Sequence, residues 1–191
     1  MIVIGLTGTI GSGKNIVAEI LKSRFDSWYV SLSSVIRAEI EKKRRVLSRT
    51  SLQDHGDELR KKYGGHILAK LAVEYLQRNK KVIIIDGIRN PGEIEWLKNR
   101  FGNDFILIAI DALREMRYER TIKRNRENDP KSWEEFLEAD ERDLGTNQPE
   151  HGQHTRACLD KADFFIDNSG TEEELRKKVN EIIENIKNSK Q

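Results

Sequence analysis

The chain has 191 residues, 37% of them hydrophobic and 35% charged, with 13 Gly, 3 Pro and 1 Cys. Those values exclude collagen-like, low-complexity and disulfide-stapled proteins, and they fit one domain over residues 1–191 with a single buried core. With 34 Lys plus Arg against 32 Asp plus Glu, the net charge is only +2, so no nucleic-acid or membrane partner is expected and any role for charge is local.

The first apolar run, Ile2–Thr7, has no basic flank and leads straight into glycines, which reads as a strand rather than a signal peptide. Further short, β-branched runs stand at Trp28–Leu32, Val82–Asp86, Phe105–Asp111 and Phe164–Asp167. Between them apolar residues recur at helical spacing, as in Val17, Ile20 and Leu21 or Ile67, Leu68, Leu71 and Leu76. Helix starts are marked by Thr50…Gln53, Ser132…Glu135 and Thr171…Glu174 as capping boxes, and by Asn90-Pro91 as an N-cap before a proline. Strands alternating with helices imply parallel crossovers, and unbroken apolar runs such as Val82–Ile85 imply strands covered on both faces. The expected architecture is a three-layer α/β/α domain around a five-stranded parallel sheet. From Arg114 to His154 the chain is strongly charged, which predicts helices that stand off the sheet. No apolar stretch nears the roughly 18 residues of a membrane span. Lone Cys158 reads as a small core residue in a reducing, cytoplasmic setting.

The sharpest motif is Gly8-Thr9-Ile10-Gly11-Ser12-Gly13-Lys14, directly after the first strand and ahead of a helical pattern. Its glycines let successive backbone N–H groups turn inward into an anion-sized nest at a helix N-terminus. Lys14 would reach the β- and γ-phosphates of ATP. Where this motif places a Ser or Thr for Mg2+, the chain has Asn15. Its amide oxygen either serves as a neutral ligand, directly or through water, or marks weakened metal binding.

These residues resemble the small-molecule branch of P-loop kinases, the nucleoside monophosphate kinase-like group. Ile4–Lys14 and Ala162–Gly170 are similar also to dephospho-coenzyme A kinase, which implies that Asn168 and Gly170 lie beside the adenine of ATP. Ile85-Asp86-Gly87-Ile88-Arg89-Asn90-Pro91 resembles the strand–Asp-x-x-Arg–helix segment of nucleotide and phosphomevalonate kinases. A group of uncharacterised bacterial and archaeal kinase-like proteins shows the same run and Pro130–Phe136, and some of its members also lack Ser/Thr after the lysine. The resemblance implies an acceptor-binding region from Ser33 to Gln77 and a lid from Arg117 to Gln153.

The remaining candidates are basic residues converging on a transferred phosphoryl group. The resemblance implies that Arg37 holds the acceptor phosphate, with Ser33 either beside it or a simple N-cap; an exposed helix arginine is the alternative. Asp86, at a strand C-terminus, would hold the Mg2+ water shell or accept a proton, and Arg89 would bind the acceptor, unless the two merely pair with each other. Arg114, Arg117, Arg120, Lys123, Arg124 and Arg126 form the densest basic cluster, with Arg117, Arg120 and Arg124 on one helix face and Glu115, Glu119 and Glu127 as local relief. Either this helix is solvated, or it is a lid whose arginines close over the phosphate; Arg120 and Arg124 match the Arg-x-x-x-Arg of the kinase lid. In Asp54–Arg60, Arg60 is a candidate for the acceptor phosphate, Asp54 or Asp57 for a base or sugar, and a His55 metal site is the minor reading. His151–His154 reads as a lid loop, with an acceptor contact one option. Lys42-Lys43-Arg44-Arg45 reads as a solvated helix end.

The expectation is therefore ATP- and Mg2+-dependent phosphorylation of a small-molecule acceptor, a nucleoside or deoxynucleoside monophosphate, by a monomer or homodimer. Dephospho-coenzyme A kinase is one rival, although Ser31–Ser34 stands where that family has an acidic motif. The rival of another class is an ATP-binding sensor without turnover, favoured by Asn15.

Overall fold

The β-branched runs form five strands: β1 (Ile2–Gly8), β2 (Ser27–Ser31), β3 (Val82–Ile88), β4 (Phe105–Asp111) and β5 (Phe164–Asp167). The computed structural model describes residues 1–42, 49–74, 76, 79–125 and 129–189. All strand pairs are parallel, and the order β2-β3-β1-β4-β5 puts β1 at the centre of the sheet. The helices are α1 (Lys14–Arg24), α2 (Leu32–Lys42), α3 (Arg49–Tyr63), α4 (Ile67–Glu74), α5 (Pro91–Phe101), α6 (Arg114–Arg124), α7 (Trp133–Leu144), α8 (Thr155–Leu159) and α9 (Glu172–Asn188). Among the described residues no helix is long and apolar enough to cross a membrane.

Successive strand residues point to opposite faces, so each unbroken apolar run serves both layers. Ile4, Leu6, Ile84, Ile108 and Ile110 meet Val17 and Leu21 of α1 and Leu175, Val179 and Ile183 of α9. Val3, Ile83, Ile85 and Leu107 meet Ile40 of α2, Leu68 of α4, Leu97 of α5 and Cys158 of α8. Cys158 is the small core residue expected, and burial pushes its thiol pKa far up, so it is inert.

The helix starts are partly as read. Asn90 caps α5 with Pro91 at its first position, and Thr171 and Glu174 close a full capping box on α9. Ser132 Oγ accepts from Glu135 N at 3.1 Å, but the Glu135 carboxylate reaches back to Lys131 N, one residue earlier than the box requires. Thr50 lies inside α3, which already includes Arg49, and its side chain falls outside the described residues. The cap of α2 is Ser31, not Ser33: Ser31 Oγ accepts from Ser34 N at 3.1 Å. The strand thus turns into the helix without a loop, because the last strand residue is itself the cap.

The charged segment after β4 stays out of the two cores that cover the sheet, as read, and its helices pack on each other instead. Tyr118, Trp133 and Phe136 form an aromatic cluster between α6 and α7, with ring centroids 5.0–5.7 Å apart and Phe136 fully buried. Carboxylates supplied by α7 and the turn before it neutralise the arginines: Asp140 binds Arg117, and Asp129 binds Arg124 at 2.6 and 2.7 Å. Glu115 and Glu119, read as the local relief, are exposed instead. Burying a guanidinium demands a fixed partner, which a neighbouring turn of the same helix does not provide here. Arg126, Glu127, Gln77 and Lys43–Arg45 lie outside the described residues.

Candidate active site

In a parallel sheet the crevice for a ligand opens at the C-terminal ends of the strands. Here β1 delivers the glycine loop to that end, and β3 and β2 deliver Asp86 and Ser31, which are register partners. Gly11 (φ +76) and Gly13 (φ +95) have left-handed backbones, and a Cβ would stand 2.3 Å from Arg117 O at the first and 2.3 Å from Asn168 Nδ2 at the second. Only glycine fits positions that are both left-handed and this closely approached.

The loop is held from outside. Thr9 Oγ1 donates to Asp111 Oδ1 at 2.6 Å, Arg117 Nη1 to Ile10 O at 3.1 Å, and Asn168 Nδ2 to Ser12 O at 2.8 Å. Arg120 Nη2 in turn donates to Asn168 O at 2.9 Å. A loop braced this way presents its N–H groups without further reorganisation. Lys14 folds over it, donating to Gly8 O at 2.5 Å and Thr9 O at 2.9 Å. Burial, and then the positive charge of Arg89, lower the Lys14 pKa to about 8.

Facing the lysine, Asp86 is 7% exposed; its Oδ2 accepts from the Tyr29 hydroxyl at 2.8 Å, while Oδ1 has no partner among the described residues. Between β1 and β3 the register shifts after Leu6–Asp86, so Gly87 is an extra residue and Thr7 Oγ1 closes the step onto Ile88 O at 2.8 Å. This bulge sits directly after the carboxylate, where bulges re-aim a side chain. Burial and the Asp86 charge push the Tyr29 phenol pKa well up, so it stays protonated.

The cleft between these elements has a volume of about 440 Å3. It brings together Ile10, Gly11, Lys14, Asn15, Ser33, Arg37, Arg60, Asp86, Arg89 and Arg124 from the sequence-derived set. Gly8, Thr9, Ser12 and Gly13 complete the loop behind that lining. Arg120 and buried Asn168 lie on its far side, and Gly170 is exposed beside Glu174. Arg89 pairs with Asp143 of α7 rather than with Asp86. Arg60 is taken by Glu93, at 3.1 and 2.9 Å, and by Asp57 at 3.3 Å; it forms the cleft wall with its charge already balanced. Asp54 and Asp57 are bound by Arg142 at 2.6 and 3.1 Å. Arg37 stays exposed at the cleft. Among the described residues no cluster of His, Cys, Asp and Glu is assembled for a metal ion, and buried His55 meets only Glu58, at 3.2 Å. Sequence reasoning missed Tyr29, Asp111, Asp140 and Asp143.

A central strand running into a braced glycine loop and lysine, in this strand order, defines a P-loop protein of kinase-like fold. The AAA domain family model matches residues 7–137. A UPF0200 protein from Thermococcus onnurineus is 35% identical over 97% of this chain and 98% of its own length. Another, from Methanothermobacter thermautotrophicus, is 32% identical over 97% of this chain and 91% of its own. The chain belongs to the UPF0200 family, and its residues 7–137 belong to the AAA domain family. TT1252 from Thermus thermophilus shares the fold at TM-score 0.64 and 22% identity, over 96% of this chain and 97% of its own. Shikimate kinase from Acinetobacter baumannii, in complex with shikimate, does so at 0.56 and 18% over 96% and 93%, and a gluconokinase from Sinorhizobium meliloti at 0.54 and 11% over 100% and 98%.

Proposed function

We propose that the protein is an ATP-dependent kinase that transfers the γ-phosphoryl group to a nucleoside or deoxynucleoside monophosphate. The observation that carries this reading is one cleft lined both by the glycine loop with Lys14 and, beyond Asp86, by Arg37 and Arg89. A protein that only holds ATP has no use for the second set of cations. In this reading the loop N–H groups and Lys14 bind the β- and γ-phosphates. Arg37 and the guanidinium edge of Arg89 not taken by Asp143 bind the acceptor phosphate. Arg124 lines the cleft, where the guanidinium edge not taken by Asp129 offsets charge on the transferred group, and Arg120, behind the loop, braces Asn168.

The free oxygen of Asp86 and the amide of Asn15 are suited to a hard cation or its waters, so they would hold Mg2+. Mg2+ bound with ATP supplies charge neutralisation between the phosphates. Asp86 also orients the attacking phosphate oxygen of the acceptor. Asn168 and Gly170 would border the adenine, and the buried lone thiol fits a cytoplasmic enzyme.

The test is ADP release from ATP with Mg2+ across ribo- and deoxynucleoside monophosphates, phosphomevalonate and dephospho-coenzyme A, with Lys14→Met and Arg89→Ala alongside. Stimulation by one nucleotide that both variants lose is the expected result. Stimulation by dephospho-coenzyme A alone would reassign the acceptor. Asn15 favours a second reading, ATP binding without turnover, and ATP binding with no stimulation by any acceptor would establish it.

A further inference from the structure

The cleft has a polar corner that phosphoryl transfer leaves unused. Gln53 of α3 and Gln153, just before α8, lie 100 residues apart, yet Gln53 Nε2 donates to Gln153 Oε1 at 3.2 Å. Both side chains line the same cleft as Arg37 and Arg89. The bond uses one polar atom of each amide. Gln53 Oε1 and Gln153 Nε2 have no other protein partner among the described residues and neither is a buried orphan, so both keep contact with solvent in side chains that line the cleft. One hydrogen-bond acceptor and one donor thus stand side by side. Exchanging O and N in both amides reverses their order and leaves the same pair.

Gln153 is 6% exposed and its backbone is held on both sides. Asn90 Nδ2 donates to Gly152 O at 2.9 Å, and His154 N donates to Arg89 O at 2.7 Å. The amide and the Arg89 guanidinium are therefore carried by one corner at a fixed separation. Ile36, Leu52 and Leu68 supply an apolar wall to the same cleft. An adjacent donor and acceptor beside an apolar wall complement a flat ring with an amide or amidine edge, which is what a nucleobase presents. The carboxylates nearest in sequence, Asp54 and Asp57, are engaged by Arg142 and leave this role to the amides.

We propose that the Gln53–Gln153 pair binds the Watson–Crick edge of the acceptor's base, which makes the acceptor a nucleotide rather than a polyol or a simple phosphorylated sugar. The proposal rests on the kinase reading of the second anion site. Its test is equilibrium calorimetry on the full chain with the four ribonucleoside monophosphates and, as the base-free probe, ribose 5-phosphate. Two neutral hydrogen bonds are worth about tenfold in affinity, so at least one nucleotide binds about tenfold tighter than ribose 5-phosphate. Gln53→Ala and Gln153→Ala each remove most of that advantage and leave the ribose 5-phosphate affinity unchanged, which also reports an intact fold. A nucleotide advantage that survives both substitutions overturns the base contact. Equal binding of ribose 5-phosphate and every nucleotide overturns it too, with the anion site standing. Binding of none of the five overturns the acceptor reading itself and the base contact with it.

Discussion

Tyr29 donates its phenolic proton to Asp86 Oδ2 at 2.8 Å, and the carboxylate's other oxygen is buried with no partner among the described residues. The two residues come from adjacent parallel strands, in which Tyr29 pairs with Ile84 and Ser31 with Asp86. The hydrogen bond fixes the orientation of the carboxylate. Hydrogen bonds to charged groups contribute about 1.5–3 kcal/mol, so Tyr29→Phe is expected to lower kcat at least about tenfold with little change in the KM for ATP. The same contact can be read without turnover. The Asp86 charge helps to raise the Tyr29 pKa, so in Asp86→Asn the phenol titrates at lower pH than in the unaltered protein. Ultraviolet absorbance titration, with Tyr29→Phe as the blank, measures the difference.

Lys14 gives a pH prediction whose sign is opposite to that of a paired lysine. Its pKa is lowered to about 8 by burial first and Arg89 second. The fold therefore favours the uncharged amine, and the charge destabilises the nucleotide-free protein below pH 8; that penalty fades as pH rises from about 8 toward 10.5. ATP requires the charged form. Its affinity should fall by up to about tenfold per pH unit above 8, measured by calorimetry at several pH values. Lys14→Met should abolish the ATP-induced rise in melting temperature while leaving the nucleotide-free protein at least as stable at pH 7.

What could be read from sequence alone was local in sequence. The glycine loop, the unbroken apolar strands and the Asn90 and Thr171 caps each follow from residues within a few positions of one another, where steric and hydrogen-bond rules act directly. Tyr29–Asp86, Thr9–Asp111 and Arg89–Asp143 join residues 57, 102 and 54 positions apart. No periodicity encodes such pairs. The α7 carboxylates were the hardest to find: Asp140 and Asp143 sit among Glu134, Glu135, Glu138 and Glu141, and such a run looks like a solvated face. Both are fully buried, and the only trace in sequence is that α6 carries more arginine than its own glutamates neutralise.

The Arg117–Asp140 pair yields a stability prediction. Both side chains are buried, at 2.5 and 3.0 Å, and Arg117 also holds Ile10 O of the glycine loop. Removing one member of a buried pair costs about 3–5 kcal/mol, here toward the lower end because Arg117 keeps Asp111 at 3.5 Å. Asp140→Ala should lose that much stability in denaturant unfolding. Arg117→Met with Asp140→Leu should regain most of it, since a buried ion pair contributes little over apolar packing. The double variant would still bind ATP more weakly than the unaltered protein, because the brace on Ile10 is gone. Recovery of ATP affinity together with stability would show that the loop does not depend on Arg117.

The proposed cation site gives Asn15 a role that can be tested. It stands at the second position of α1, exposed and lining the cleft with Lys14 and Asp86. A neutral amide oxygen binds a hard cation less strongly than a carboxylate does, yet it contributes where phosphate oxygens supply most of the coordination. Asn15→Ala should therefore weaken ATP binding in the presence of Mg2+ by about tenfold, the loss of one ion-linked contact, and leave binding in EDTA unchanged. Asn15→Thr, which restores a hydroxyl of the usual kind, should retain Mg2+-dependent binding. Calorimetric titrations of ATP with and without Mg2+ separate these cases. Equal affinity of all three proteins under both conditions would remove Asn15 from the cation site and leave Asp86 as its protein anchor.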